Sequence, residues 1–284
     1  MIFTEANPVK LIFDTAHNAH KADSPSPVLL DISPPEGVAL RGAHWVEFNQ
    51  IVASRGDTVG LVAPINDLNQ ALAHTGVHKN RPIFIVDDSQ GLSAARLAWT
   101  LALCGIEQTH LIDGGRAALL AAGFETQSKP AEPEATPRLK LLEASPHLCT
   151  AEMIREGMQE AERPWIVLDT RSEAEYLGLD QRSRHAGHVP GAIHFDWQRC
   201  FDPTNPGFLL PDAVILAALA AQGITPQANR TLAVYCQSHR RSSLMFMILK
   251  HLGFSSVRGY PGAWSDWGNR DDLPIALPQA RQSA

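Results

Sequence analysis

The sequence predicts an α/β protein of two tandem domains, each a mostly parallel central sheet with helices on both faces. Three observations carry this. Short β-branched and leucine runs alternate with helix-like stretches, the pattern of parallel strands joined by crossover helices. The chain also repeats itself. Gly105 falls on Gly253 and Gly114 on Gly262 at a constant offset of 148, with apolar positions in phase, and the same offset places Asp88 on Cys236. Between the copies, ETQSKPAEPEATPRLK is rich in Pro, Glu, Ala and Thr and reads as an extended linker. The expected division is 1–124, a linker at 125–137, and 138–284.

Each copy opens on a buried strand, PVLLDI or WIVLDT, which sets Asp31 on Asp169 at an offset of 138. A glycine-led segment brings the second short strand, GAHWVEF or GAIHFDW, with Gly42 on Gly191 at an offset of 149. The change in offset marks an insertion of about eleven residues around Leu177 to Gly187. A helix follows, clearest in PDAVILAALAAQG with Gly223 as its C-cap. Next come the core strand (PIFIVDD, TLAVYC), a second helix (AARLAWTLALCG, SSLMFMILKHLG) and a closing strand in THLIDGG or SVRGYPGAW. Ligands of such sheets bind at the carboxyl ends of the strands, and Cys236 ends one of them.

The net charge of −6 argues against a general nucleic-acid binder, which would carry a basic domain. No apolar run approaches the roughly 18 residues of a membrane span, and the N-terminus lacks the pattern of a secretory signal. The expected setting is cytoplasmic, with neither membrane nor nucleic acid as partner. Cys104, Cys149, Cys200 and Cys236 are widely spaced, with no C-x-x-C pair and no zinc-like cluster. Neither a disulfide framework nor a metal site is expected. Each cysteine is then a small core residue or a reactive thiol.

Cys236 has the context of a reactive one. Only the thiolate is nucleophilic, and it is favoured at helix N-termini and beside basic residues. Here a strand ends at Cys236, and Gln237, Ser238, His239, Arg240, Arg241 and Ser242 lead into a helix. Free N–H groups at that helix start, or turned inward by a tight loop, favour an anion.

The second copy resembles the rhodanese-type sulfurtransferases through LDTRSEAEY, GHVPGAIHFDW, YCQSHRRS and YPGAWSDWG, and the repeat resembles the tandem members. The resemblance is strong over about 138–275 and weaker over 28–124. It implies two rhodanese-like domains, no cofactor, and Cys236 as nucleophile and persulfide carrier. A small-molecule donor, thiosulfate, would pass its sulfane sulfur to cyanide, a thiol or a protein acceptor. The backbone N–H groups of Gln237 through Ser242 would cradle the outer sulfur, with hydroxyl donors from Ser238 and Ser242. His239, Arg240 and Arg241 would line the rim or floor and favour a dianion, unless Arg241 turns inward to brace the loop or Asp169. Arg171, of the Asp-x-Arg pair, is either a substrate contact or half of a structural ion pair. His188 is expected to be structural, and Trp264 and Trp267 to build pocket wall and core. With Asp88 in the cysteine's place, the first domain would be inert and would wall the cleft. Two domains packed together would suffice as a monomer. Cys104 is expected in the core, and Cys200 in a partly exposed loop.

One position departs from the animal-type tandem members, where an arginine four residues after Arg171 contacts the donor; here it is Glu175. Arg182 or Arg184 in the insertion could substitute. Mercaptopyruvate-specific members carry a small neutral loop, so this bulky basic one favours thiosulfate, with mercaptopyruvate sulfurtransfer or a protein-to-protein sulfur relay as alternatives. Phosphatases of the same fold place an arginine one residue further from the cysteine than Arg241 stands, a larger loop that suits a phosphoryl group.

Overall fold

Strand runs buried on both faces need cover on both, and the chain builds two parallel sheets with that cover. The computed structural model describes residues 2–6, 26–33, 38–129, 131–162, 165–226 and 230–277. The first half comprises β1 (Ile2–Thr4), β2 (Val28–Asp31), β3 (Ala39–Leu40), β4 (Ala43–Trp45), β5 (Val52–Arg55), β6 (Thr58–Val62), α1 (Ile65–Leu72), β7 (Ile83–Val86), α2 (Leu92–Leu103), β8 (Thr109–Ile112), α3 (Gly115–Ala121) and β9 (Thr126–Gln127). The second comprises α4 (Ala151–Met158), β10 (Ile166–Asp169), α5 (Glu173–Tyr176), β11 (Ile193–His194), α6 (Asp212–Ala220), β12 (Leu232–Tyr235), α7 (Arg241–His251), β13 (Val257–Gly259) and α8 (Ala263–Trp267).

The sheets run β1-β8-β7-β2-β4 and β11-β10-β12-β13, all in parallel pairs. Alternate residues serve opposite faces. Leu30, Ile83, Ile85, Leu168, Leu232 and Val234 face one continuous core shared by both halves. Leu29 and Phe84 face a second cluster with Leu119 of α3. Val167 and Tyr235 face a third with Trp264 and Trp267. The shared core holds Leu97, Trp99 and Leu101 of α2 against Leu244, Phe246 and Ile248 of α7, so burial of apolar surface joins the halves. Part of the expected linker belongs to the first half: β9 pairs with β3, and the Glu134 N–H donates to the His74 carbonyl at 3.0 Å.

The sheet registers correct the repeat alignment. Asp31 pairs with Val86, and Asp169 pairs with Tyr235. The counterpart of Cys236, the first residue after its strand, is therefore Asp87 and not Asp88. The helix α2 has 12 residues and α7 has 11, so an offset fixed on the glycines beyond the helices slips by one at the loops before them.

A hairpin of the first half reaches the second. The strands β5 and β6 pair antiparallel. The Val59 N–H donates to Ser265 Oγ at 3.0 Å, and that hydroxyl lies 3.0 Å from the Val59 carbonyl. Gly60, at φ +75°, touches the Cys236 loop so closely that a Cβ there would lie 2.1 Å from the Ser238 carbonyl oxygen. Among the described residues, no helix is long and apolar enough to cross a membrane.

Candidate active site

Cys236 sits at the carboxyl end of β12, in the turn that starts α7. It is 1% exposed. The turn is held from outside: the Trp264 N–H donates to the Cys236 carbonyl and the Ser265 N–H to the Gln237 carbonyl, each at 2.9 Å. His239 takes φ +56°, a left-handed conformation unusual for a side-chain-bearing residue. That residue reverses the chain within the tight loop.

Burial alone pushes a thiol's pKa up. It does so at Cys104, to about 11, at Cys200, to about 12, and further at Cys149. At Cys236 the burial contribution is outweighed by the Arg241 guanidinium, by the Ser242 hydroxyl and by the N–H groups of Ser242 and Ser238, and the thiol is shifted down. The four thiols thus divide one against three. Cys200, expected to be partly exposed, is buried in the shared core at 0% exposure, because the 3₁₀ turn Trp197–Cys200 turns Trp197 and Cys200 inward.

Arg241 is fixed by Glu175. Its Nη1 donates to Glu175 Oε2 at 2.6 Å and its Nη2 to Oε1 at 2.8 Å, a two-pronged pair. Burial acts to raise the Glu175 carboxyl, but Arg241 and Ser172 win and hold it at about 2. The same carboxylate closes a capping box on α5 with Ser172. Arg182 Nε approaches it at 3.8 Å from the insertion. The insertion also lies on the loop, where Gln237 Nε2 donates to Ser183 Oγ at 3.2 Å. Glu175, read in the sequence as a lost donor contact, is the group that aims Arg241 at the thiol. The capping pattern Ser-x-x-Glu was visible in the sequence; its second partner, 66 residues away, was not.

The other basic residues go elsewhere. His239 is fully buried between Trp99, whose ring lies 4.3 Å away edge-on, and the backbone of Gly259. Burial and the nearby Arg96 keep its imidazole far below the ordinary histidine pKa, hence neutral. It is neither rim nor anion trap. Arg240 points into the first half. Its Nη2 donates to Ser93 Oγ at 2.7 Å, and its guanidinium lies 4.9 Å over the Phe48 ring. There it borders a cleft of about 520 Å³ with Ser33 and Asp88. Of the three basic residues expected around the sulfur, Arg241 alone acts there as a cation.

Arg171 forms a buried ion pair. Its Nε and Nη2 donate to Asp169 at 2.6 to 3.1 Å, and Nη2 also donates to the Gly187 carbonyl. It lies 4.5 Å over the Trp264 ring, and Tyr235 Oη donates to the same Asp169. This buried network ties β10, β12 and α8 together beneath the loop. His188 is structural as well, stacked 3.8 Å from Tyr176 and bonded to its carbonyl. Arg184 is exposed and pairs with Asp271. Among the described residues, no cluster of His, Cys, Asp or Glu has the arrangement to hold a metal.

Residues 150–270 match the family described as Rhodanese-like domain. The chain is 29% identical over 272 residues to the thiosulfate sulfurtransferase of Azotobacter vinelandii, covering 94% of this chain and 97% of that one. It is 30% identical over 211 residues to the thiosulfate sulfurtransferase of Corynebacterium glutamicum, covering 70% and 67%. This chain belongs to the rhodanese-type sulfurtransferases. The fold agrees: the crystal structure of YnjE superposes with a TM-score of 0.80 at 18% identity, over 98% of this chain and 68% of that one.

The first half of this rhodanese-type chain fills the corresponding loop differently. Asp87, the counterpart of Cys236, is buried, and its carboxylate occupies the cradle at the start of α2. It accepts from the Gly91 N–H at 2.8 Å, the Ser93 N–H at 2.8 Å, the Ala94 N–H at 3.1 Å and Ser89 Oγ at 2.6 Å. Ser93 is the counterpart of Ser242. One copy of the turn thus holds a carboxyl group, accepting from N–H and hydroxyl donors, where the other holds a thiol. That is independent support for an acceptor-holding geometry in both.

Proposed function

We propose that the chain is a thiosulfate sulfurtransferase working through a Cys236 persulfide, with 138–284 as the reacting half, 1–124 as a non-reacting half and 125–137 joining them. The observation that carries this is a single acidified thiol inside an N–H cradle, with Arg241 aimed at it by Glu175. The Cys236 thiolate attacks the outer sulfur of thiosulfate. A sulfur–sulfur bond forms to Cys236, the donor's own sulfur–sulfur bond breaks, and sulfite leaves with the electron pair. The terminal persulfide sulfur then carries the charge, where the N–H groups of Ser238 and Ser242 and the Arg241 guanidinium favour an anion. An acceptor, cyanide or a thiolate, attacks that sulfur and returns Cys236 as thiolate.

Gln237, Ser238, Arg241 and Ser242 form the proposed substrate-facing set. His239 and Arg240 support it, and Arg171 braces the sheet end beneath. A phosphatase reading is disfavoured by the loop length: Arg241 stands five positions after Cys236, one short of the Cys-x5-Arg spacing, and the shorter loop suits a single sulfur better than a phosphoryl group. The test is initial-rate kinetics of thiocyanate formation from thiosulfate and cyanide. Parallel double-reciprocal lines, with activity lost in Cys236→Ala, are the expected result. Turnover with mercaptopyruvate but not thiosulfate would overturn the donor assignment, and sulfur delivery only to a protein thiol would move the reading to a relay.

A further inference from the structure

Arg96 lies on α2, in the half without the thiol, and is fully buried. Among the described residues it has no carboxylate partner. Its Nη2 donates to the Leu61 carbonyl at 3.0 Å, its Nη1 reaches the His239 carbonyl at 3.5 Å, and its Nε has no partner. A buried guanidinium without a counter-ion is costly. Burial works against the charged guanidinium, and negative charge on the Cys236 sulfur works for it.

His239 connects the two. Its Nδ1 lies 2.7 Å from Ser242 Oγ, and its buried Nε2 has no partner. A hydrogen on Nε2 would be a buried donor with no acceptor, a rare arrangement. With the hydrogen on Nδ1, the ring donates to Ser242 Oγ, and the Ser242 hydroxyl hydrogen is free to point at the sulfur. Burial first, and the guanidinium of Arg96 after it, oppose a second proton on this ring.

We propose that Arg96 is a positioning residue of the Cys236 site: it anchors the His239 carbonyl and, through His239 and Ser242, directs a hydroxyl hydrogen onto the sulfur. The half without a thiol in its loop thereby helps to prepare the nucleophile of the other half. This rests on Cys236 being the nucleophile. The charged or titratable groups around the sulfur are Arg241, backed by Glu175 and Arg182, together with His239 and Arg96; Arg240 is turned away.

The test is the pH dependence of Cys236 alkylation by iodoacetamide, in the full chain, for the unsubstituted protein, Arg96→Met and Arg96→Lys. Arg96→Met should raise the midpoint by about one pH unit, a tenfold loss of thiolate below the midpoint, and Arg96→Lys should recover most of it. An unchanged midpoint in folded Arg96→Met would overturn the proposal. The ring-nitrogen NMR spectrum of His239 in the unsubstituted protein needs no variant, and decides the matter if Arg96→Met does not fold. A neutral ring with hydrogen on Nδ1 from pH 5 to 9 supports the relay; hydrogen on Nε2, or a protonated ring, overturns it. Persulfide formation by the unsubstituted protein is scored separately, so a failed sulfur transfer is distinguishable from a failed role for Arg96.

Discussion

Replacing Glu175 with Gln tests the pair that aims Arg241. Glu175 is 1% exposed, and its carboxyl is held at about 2 against 4.5 for the free group. Burial opposes that depression, so the Arg241 pair and the Ser172 bonds supply more than the whole of it. About two and a half pH units at ~1.36 kcal/mol each correspond to about 3 kcal/mol of folding stability. The folded-state pKa is depressed, so this stability is complete above pH 4.5 and is lost as pH falls through about 2. Roughly 2 kcal/mol of it should disappear between pH 7 and pH 3. Urea unfolding followed by tryptophan fluorescence gives the assay. Glu175→Gln should be about 3 kcal/mol less stable than the parent at pH 7, and the gap should shrink to about 1 kcal/mol at pH 3. No gap at pH 7, or one that persists unchanged at pH 3, would refute the reasoning.

The loop arginines should separate: Arg241→Ala should slow sulfur loading from thiosulfate by tenfold or more, roughly the value of one charged donor to a developing anion, while Arg240→Ala should leave the thiosulfate KM within about twofold, both read by initial rates. Gly60→Ala puts a Cβ into the Ser238 carbonyl at a positive φ; it should cost roughly 1–3 kcal/mol in urea unfolding and lower the loading rate through displacement of the loop. Iodoacetamide at pH 7 should label Cys236 alone in the folded chain, with Cys104, Cys149 and Cys200 reacting only after unfolding, as peptide mass mapping would show.

The architecture was legible because strand runs, helix periodicity and the repeat all write themselves into local sequence. The reactive loop was legible for the same reason: a cysteine between an apolar strand and a helix start is a local pattern. What escaped is the direction in which side chains leave a tight turn. His239, Arg240 and Arg241 are consecutive, yet they point to the shared core, the first half and Glu175 respectively, because the left-handed His239 swings the chain between them. The single-residue slip that set Asp88 rather than Asp87 on Cys236 arose from unequal helix lengths, which only backbone pairing reveals. Glu175 and Arg96 escaped because their partners are 66 and 143 residues away. No local pattern encodes a pair of that kind.

The proposed reaction requires a covalent sulfur on Cys236. Its most direct test is the intact mass of the protein after incubation with excess thiosulfate, beside Cys236→Ala. A gain of one sulfur, about 32 Da, lost on adding cyanide with release of thiocyanate and absent from the variant, is the expected result. No gain in the unsubstituted protein, or an equal gain in Cys236→Ala, would contradict it.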